Sequence, residues 1–175
     1  TYVKSIAVNA ILAQTINTVL AEKLTMQPGL VMTAMAVRDD LSEGDSYFVA
    51  EIKAIHRLLR AVASNKRVYG FIDEILKGTN TVERIAASAS VINWLSHYPS
   101  LVVVATHDNE LTDIMGDQCI NWHFQEKVTQ KDGVVFDYLL HQGPATSHNA
   151  IALLATMAYP EPLIKDARQL AADFE

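Results

Sequence analysis

Cysteine is nearly absent from this chain: Cys119 stands alone in 175 residues. That excludes an intramolecular disulfide framework and a Cys-rich zinc site, and makes a cytoplasmic compartment the expectation. Basic residues are also scarce, with 14 Lys plus Arg against 20 Asp plus Glu and a formal net charge of -6. No global basic field draws in nucleic acid, which leaves room only for a local patch or a partner domain that does so. A membrane-length apolar run is missing too. Val3 to Leu20 carries a single charge, Lys4, but Ser5, Asn9, Gln14, Thr15, Asn17 and Thr18 interrupt it, where a span needs about 20 mainly apolar residues. No short apolar segment followed by a small-residue cleavage site marks a signal peptide, and there is no internal repeat, low-complexity tract or linker. What the chain does have is a hydrophobic half, enough for one domain with a real core.

The opening stretch predicts a helix buried on nearly all sides, starting abruptly with no capping residue ahead of it. Met26-Gln-Pro-Gly29 breaks that pattern, and Leu30 to Val37 reads as a short buried strand. After a charged loop from Arg38 to Asp45, the apolar residues Phe48, Ile52, Ile55, Leu58, Leu59 and Val62 recur at helical spacing. Glu51, Lys53, Arg57 and Arg60 fall on the other faces, so Glu51 is expected to be a solvated helix residue. Val68 to Ile72 is a compact apolar run ending in Asp73-Glu74. Thr81 to Trp94 is helical again, and Leu101 to Ala105 is a second apolar run, ending in Thr106-His107. Short apolar strands alternating with helices indicate an α/β layer with a parallel sheet covered on both faces. Beyond Asn109, Ile120, Trp122 and Phe124 alternate with polar residues, Lys131-Asp-Gly133 forms a turn, and Val134, Phe136 and Tyr138 alternate again. This is an antiparallel hairpin, followed from Ser147 to Asp173 by two short helices parted by Pro160 and Pro162.

In open parallel sheets ligands bind beyond the carboxyl ends of the strands, so the two runs bring Asp73, Glu74, Thr106 and His107 to one edge. Nucleotide hydrolysis needs such a pair of carboxylates: one for the water shell of a magnesium ion, the next to polarise the attacking water. A His on the neighbouring strand can hydrogen-bond a terminal phosphate or that water. The plain alternative is a strand that simply meets solvent in Asp-Glu, with a structural His beside it.

The order of these motifs resembles the ATPase domain of the MutS family, the mismatch-repair branch of the ABC-type ATPases. Ser46-Tyr-Phe-Val-Ala-Glu51 is similar to the signature Ser-Thr-Phe-x-x-Glu. Phe71-Ile-Asp-Glu-Ile-Leu-Lys-Gly-Thr79 is similar to the Walker B strand and its loop, Asp-Glu-Ile-Gly-Arg-Gly-Thr. Val104-Ala-Thr-His107 with Glu110-Leu111 is similar to the Ala-Thr-His segment, and Phe136-Asp-Tyr138 through Gly143, Ser147 and Pro160 to Arg168 resembles the tail that closes the domain. Thr1-Tyr2-Val3-Lys4 is similar to the stretch directly after Gly-Lys-Ser in the family's phosphate-binding loop.

The resemblance implies a P-loop NTPase-like (ABC-type) layered α/β sheet flanked by helices, with a C-terminal antiparallel hairpin and short helices. It implies that residues 1–175 are an ATPase domain fragment beginning just inside the P-loop helix, without the phosphate loop and its preceding strand, and inactive by itself. In the complete protein it implies ATP and Mg2+ as cofactors, Asp73 toward the metal, Glu74 for water activation and His107 at the γ-phosphate or the water. It places Thr1 at the nucleotide as the last residue of the loop motif, and Ser46 at the nucleotide of the opposite subunit. Ser46 can equally be an ordinary N-cap, and Tyr138 either meets the adenine or belongs to the hairpin core. The implied partners are a second copy with composite sites and DNA, held by domains outside this chain. Two segments depart from the family: Asn80-Thr81-Val82-Glu83-Arg84 stands where members carry Ser-Thr and an aromatic-Asp-Gly, the Asp reaching across the dimer, and Ser147-His-Asn-Ala150 stands where they favour Ser-Tyr-Gly. The altered loop motivates a different reading, a non-catalytic dimerisation or interaction module. Another ABC-type ATPase fits less well, because Asp45-Ser46-Tyr47 lacks their Ser-Gly-Gly type signature.

Overall fold

Side chains alternate across a three-stranded parallel sheet in the computed structural model, which describes residues 1–35, 47–64, 66–129, 133–146 and 150–174. Strands β1 (Leu30–Ala34), β2 (Val68–Asp73) and β3 (Leu101–Ala105) lie in the order β1-β2-β3. The register sets Thr33 beside Phe71 and Phe71 beside Val103. One face carries Val31, Tyr69, Phe71, Val103 and Ala105; it is covered by helix α1 (Tyr2–Ile16) through Val3 and Ala7. The other carries Met32, Ala34, Val68, Ile72, Val102 and Val104, packed with Ala54, Ile55, Leu58 and Val62 of helix α2 (Tyr47–Ala63) and with Leu95 of helix α3 (Thr81–Ser96). The period-2 alternation of the strands thus feeds two cores, as a doubly covered sheet requires.

Helix α2 follows its sequence pattern in part: Ile55, Leu58 and Val62 fall with Ala54 on one buried stripe, Leu58 completely buried, whereas Ile52 is exposed. Removing a side chain of that size from water is worth about 1.5–3 kcal/mol. The opening helix departs from expectation. Only Val3, Ala7 and Ala10 are buried, while Tyr2, Val8, Ile11 and Ile16 are exposed. A run of apolar residues carries no direction; the small residues at positions 7 and 10 mark the side that can approach the sheet. The helix stops at Asn17, which takes the left-handed conformation that suits an Asn C-cap. Strand β1 is shorter than the expected Leu30 to Val37, ending at Ala34; positions 36 and 37 and the charged loop Arg38 to Asp45 lie outside the described residues.

The described chain divides into two compact units, Thr1–Cys119 and Ile120–Glu175. The first holds the sheet, α1 to α3 and the short helix α4 (Glu110–Met115). In the second, β4 (Trp122–Thr129) pairs antiparallel with β5 (Gly133–Gln142), with an irregularity between Phe124 and Glu126. Helices α5 (Ala150–Thr156) and α6 (Glu161–Phe174) complete it. Lys131-Asp132 of the expected turn and Ser147 of the expected helix start lie outside the described residues. Pro160 does separate the helices, but Pro162 sits in the first turn of α6, where its missing N–H costs nothing. Among the described residues no helix is long and apolar enough to cross a membrane.

Candidate active site

Strand β2 ends in Asp73, which lies opposite Ala105 of β3, and the N–H of Glu74 donates to the Ala105 carbonyl at 2.9 Å. The ladder therefore holds the first backbone atoms beyond the strand before the chain turns, with Glu74 and Leu76 both in the left-handed region at φ 58° and 56°. Thr106 and His107 leave β3 beside them. His107 Nε2 lies 3.2 Å from Glu74 Oε1, and the Lys77 ammonium pairs with the other Glu74 oxygen. That carboxylate, by hydrogen bond and by charge, holds the Lys77 pKa above its ordinary value. Asp73 faces α1, with its Oδ2 3.6 Å from Lys4 Nζ. Asp73, Glu74 and His107 thus meet at one sheet edge, as their strand-end positions predict, and all three remain accessible, His107 almost fully.

Thr1 occupies the N-cap position of α1; it is exposed, and its carbonyl accepts the Ser5 N–H at 3.0 Å. Ser46 lies outside the described residues, which resume at Tyr47. Tyr138 belongs to the second unit and is 83% exposed, so it is not a hairpin core residue.

Glu51 is the plainest correction in this region. It is buried at 3% exposure rather than solvated, and its Oε1 accepts the Lys77 N–H at 3.2 Å. Its Oε2 has no hydrogen-bond partner among the described residues. The signal was in the spacing, since Glu51 stands three before Ala54 and seven before Leu58, on the inward stripe. One turn earlier Phe48 packs on Gly78 so closely that a Cβ there would sit 2.7 Å from the Phe48 Cβ. Glu51 and Phe48 together fasten the start of α2 to the loop after Glu74.

The altered segment after Thr79 starts α3. Asn80 caps the helix by accepting the Glu83 N–H at 3.0 Å, and the Thr79 hydroxyl donates to the Glu83 carboxylate at 3.0 Å. Arg84 reaches across to Asp108 with two parallel bonds, Nε to Oδ2 at 2.8 Å and Nη2 to Oδ1 at 2.7 Å. The guanidinium holds the Asp108 carboxyl below the usual carboxylate range. No local pattern announces this pair, because its members are 24 positions apart and meet only through the sheet topology.

A parallel sheet covered on both faces, with an Asp-Glu pair closing one strand and a His closing the next, defines an α/β domain of the P-loop NTPase kind. The chain belongs to the MutS domain V family, whose pattern matches residues 1–175. It is 30% identical over 175 residues to a protein named DNA mismatch repair protein MutS 2 from Halobacterium salinarum, covering 97% of this chain and 20% of that protein. A DNA mismatch repair protein MutS from a Geobacillus species is 28% identical over 178 residues, covering 100% of this chain and 20% of that protein. The chain therefore spans about a fifth of the length of the curated relatives it matches.

Against the family pattern, Leu76 replaces a glycine at a left-handed position. A non-glycine residue there costs about 1–2 kcal/mol. Burial of the Leu76 side chain, 8% exposed in the α2 and α3 core, returns about 1.5–3 kcal/mol. The substitution is sustained by packing, at a bend that sets where Glu74 points.

The donor set also suits the group the fold implies. Mg2+ takes one or two carboxylates and completes its shell with water and substrate phosphates. Asp73 offers such an accessible carboxylate at the strand end, with Glu74 next to it.

Proposed function

We propose that this chain is the nucleotide-hydrolysing motor domain of a MutS-like DNA mismatch repair or related DNA-processing protein. The observation that carries the proposal is the meeting of Asp73, Glu74 and His107 at one sheet edge, with Glu74 and His107 3.2 Å apart. In this reading Asp73 would hold Mg2+, which neutralises phosphate charge when bound with ATP. Glu74 takes a proton from the attacking water. His107 orients that water or donates to the terminal phosphate. Lys77 and His107 each engage one Glu74 oxygen, and each oxygen keeps a second lone pair with which it can accept the proton of the water.

The parent protein acts as a cytoplasmic homodimer with composite sites: Thr1 at the phosphates, Ser46 reaching the partner's nucleotide and Tyr138 meeting the adenine. ATP-driven association moves DNA-holding domains that lie outside these residues. The names of the relatives support mismatch repair as the setting.

These 175 residues contain no Gly-x-x-x-x-Gly-Lys-Ser/Thr loop to cradle the phosphates. Losing one charge-stabilising group in phosphoryl transfer can cost about 10³–10⁵ in rate, so the chain alone is expected to be inert toward ATP. Calorimetry with Mg-ATP is expected to show no binding in the micromolar range, and micromolar binding would contradict this. For the parent protein the test is Mg2+-dependent ATP turnover; its complete absence overturns the motor reading. The second reading, a non-catalytic dimerisation or interaction module, draws on the way Glu83 and Arg84 turn to partners in their own unit. It predicts nucleotide-independent dimers without turnover, which light scattering beside the same assay detects.

A further inference from the structure

We propose that the Arg84–Asp108 pair positions His107 against Glu74, so that the segment departing from the family controls the hydrolytic site from within its own subunit. The proposal rests on the reading of Glu74 and His107 as the hydrolytic pair. His107 is 91% exposed, and among the described residues its polar side-chain contact is Glu74. An imidazole so free of packing is placed by its backbone, and the backbone is placed by the next residue. Asp108 donates its N–H to the Thr106 hydroxyl at 3.0 Å, bracketing His107, and its carbonyl accepts the Leu111 N–H at 3.2 Å. Its carboxylate is gripped by both edges of the Arg84 fork, with side chains 21% and 15% exposed. A planar guanidinium fixes direction as well as distance, which an ammonium does not.

Arg84 is itself anchored. Its N–H donates to the Asn80 carbonyl at 2.9 Å, within the capped first turn of α3, and that turn follows directly on the loop from Glu74. The contacts form a closed circuit: from Glu74 through the loop to Arg84, across to Asp108, back one residue to His107, and across 3.2 Å to Glu74. Arg84 has a second effect. It neutralises a carboxylate adjacent to His107 that would otherwise compete with Glu74 for the imidazole. Arg84 and Asp108 touch no reacting atom in this scheme; they are positioning residues.

The test is a double-mutant cycle in the parent protein. Arg84→Ala is expected to lower kcat for ATP by about 10- to 100-fold, the scale of a misplacement near 1 Å, with KM unchanged. Asp108→Ala should do the same, and the double variant should lose no more than either single one, since both remove one device. In a Glu74→Gln background, Arg84→Ala should cost nothing further, an outcome that general loss of folding does not produce. Additive losses, a change confined to KM, or an undiminished Arg84→Ala effect in the Glu74→Gln background each overturn the proposal. If Glu74→Gln itself leaves turnover intact, the reading of Glu74 and His107 as the hydrolytic pair fails instead. In the 175-residue chain, Arg84→Ala should speed amide exchange at Asp108 and Leu111 and leave Phe71 and Ile72 protected. Unchanged exchange at Asp108 and Leu111 overturns the positioning role whatever the turnover shows.

Discussion

Glu74→Gln in the parent protein is expected to slow ATP hydrolysis by about 10²–10⁴, the range that a positioned general base contributes, while ATP binding survives. The substitution keeps the size and the hydrogen-bonding capacity of the side chain and removes its ability to take a proton. It leaves untouched the carboxylate of Asp73, the proposed metal ligand, so nucleotide affinity and turnover should separate. Single-turnover kinetics together with equilibrium nucleotide binding measure the two. Turnover at the unmodified rate would remove Glu74 from the mechanism, and a parallel loss of binding would reassign it to nucleotide holding. The geometry favours the proton-accepting role: Glu74 lies beyond the last strand residue, on a bend held by the Ala105 carbonyl and opposite His107, whereas Asp73 points toward α1.

Phe71→Ala should destabilise the first unit by about 3–5 kcal/mol, the usual cost of emptying a buried phenylalanine site. Phe71 is 1% exposed and sits between β1 and β3 beneath α1, where Val3 and Ala7 meet it. The loss would loosen α1 and with it the approach of Lys4 to Asp73, two residues along the same strand. Phe71→Leu, which keeps most of the volume, should cost much less. Denaturant unfolding of the two variants beside the parent chain gives the comparison. An alanine variant as stable as the unmodified chain would mean that α1 does not rest on the sheet as described.

Strand β2 was legible because a strand buried on both faces needs an uninterrupted apolar run, and Val68 to Ile72 is such a run with polar residues at the exit; Leu101 to Ala105 carries the same run, although β3 is only partly covered and Leu101 is exposed. The ends of those runs located Asp73, Glu74 and His107, since parallel strands paired in register deliver their carboxyl ends to one edge. What escaped the sequence depends on direction or on distance along the chain. The opening helix has apolar residues all round, and only the small side chains of Ala7 and Ala10 say which side meets the sheet. Glu51 looked solvated because charge usually is; its place on the stripe of Ala54 and Leu58 carried the contrary information. Arg84 and Asp108 have no local signature at all, and Leu76 hides a left-handed bend behind an ordinary apolar residue where the family pattern has glycine.

The proposed nucleotide site is built by two copies of the parent protein, with Glu74 acting in its own subunit and Ser46 across the dimer. Mixing Glu74→Gln subunits with Ser46→Ala subunits tests it most directly. In that arrangement each variant alone would damage both sites of its dimer, whereas a mixed dimer would gather both lesions into one site and leave the other whole. The mixture should hydrolyse ATP at a rate neither variant reaches by itself. A mixture no faster than the average of its two components, with mixed dimers shown to form, would contradict it.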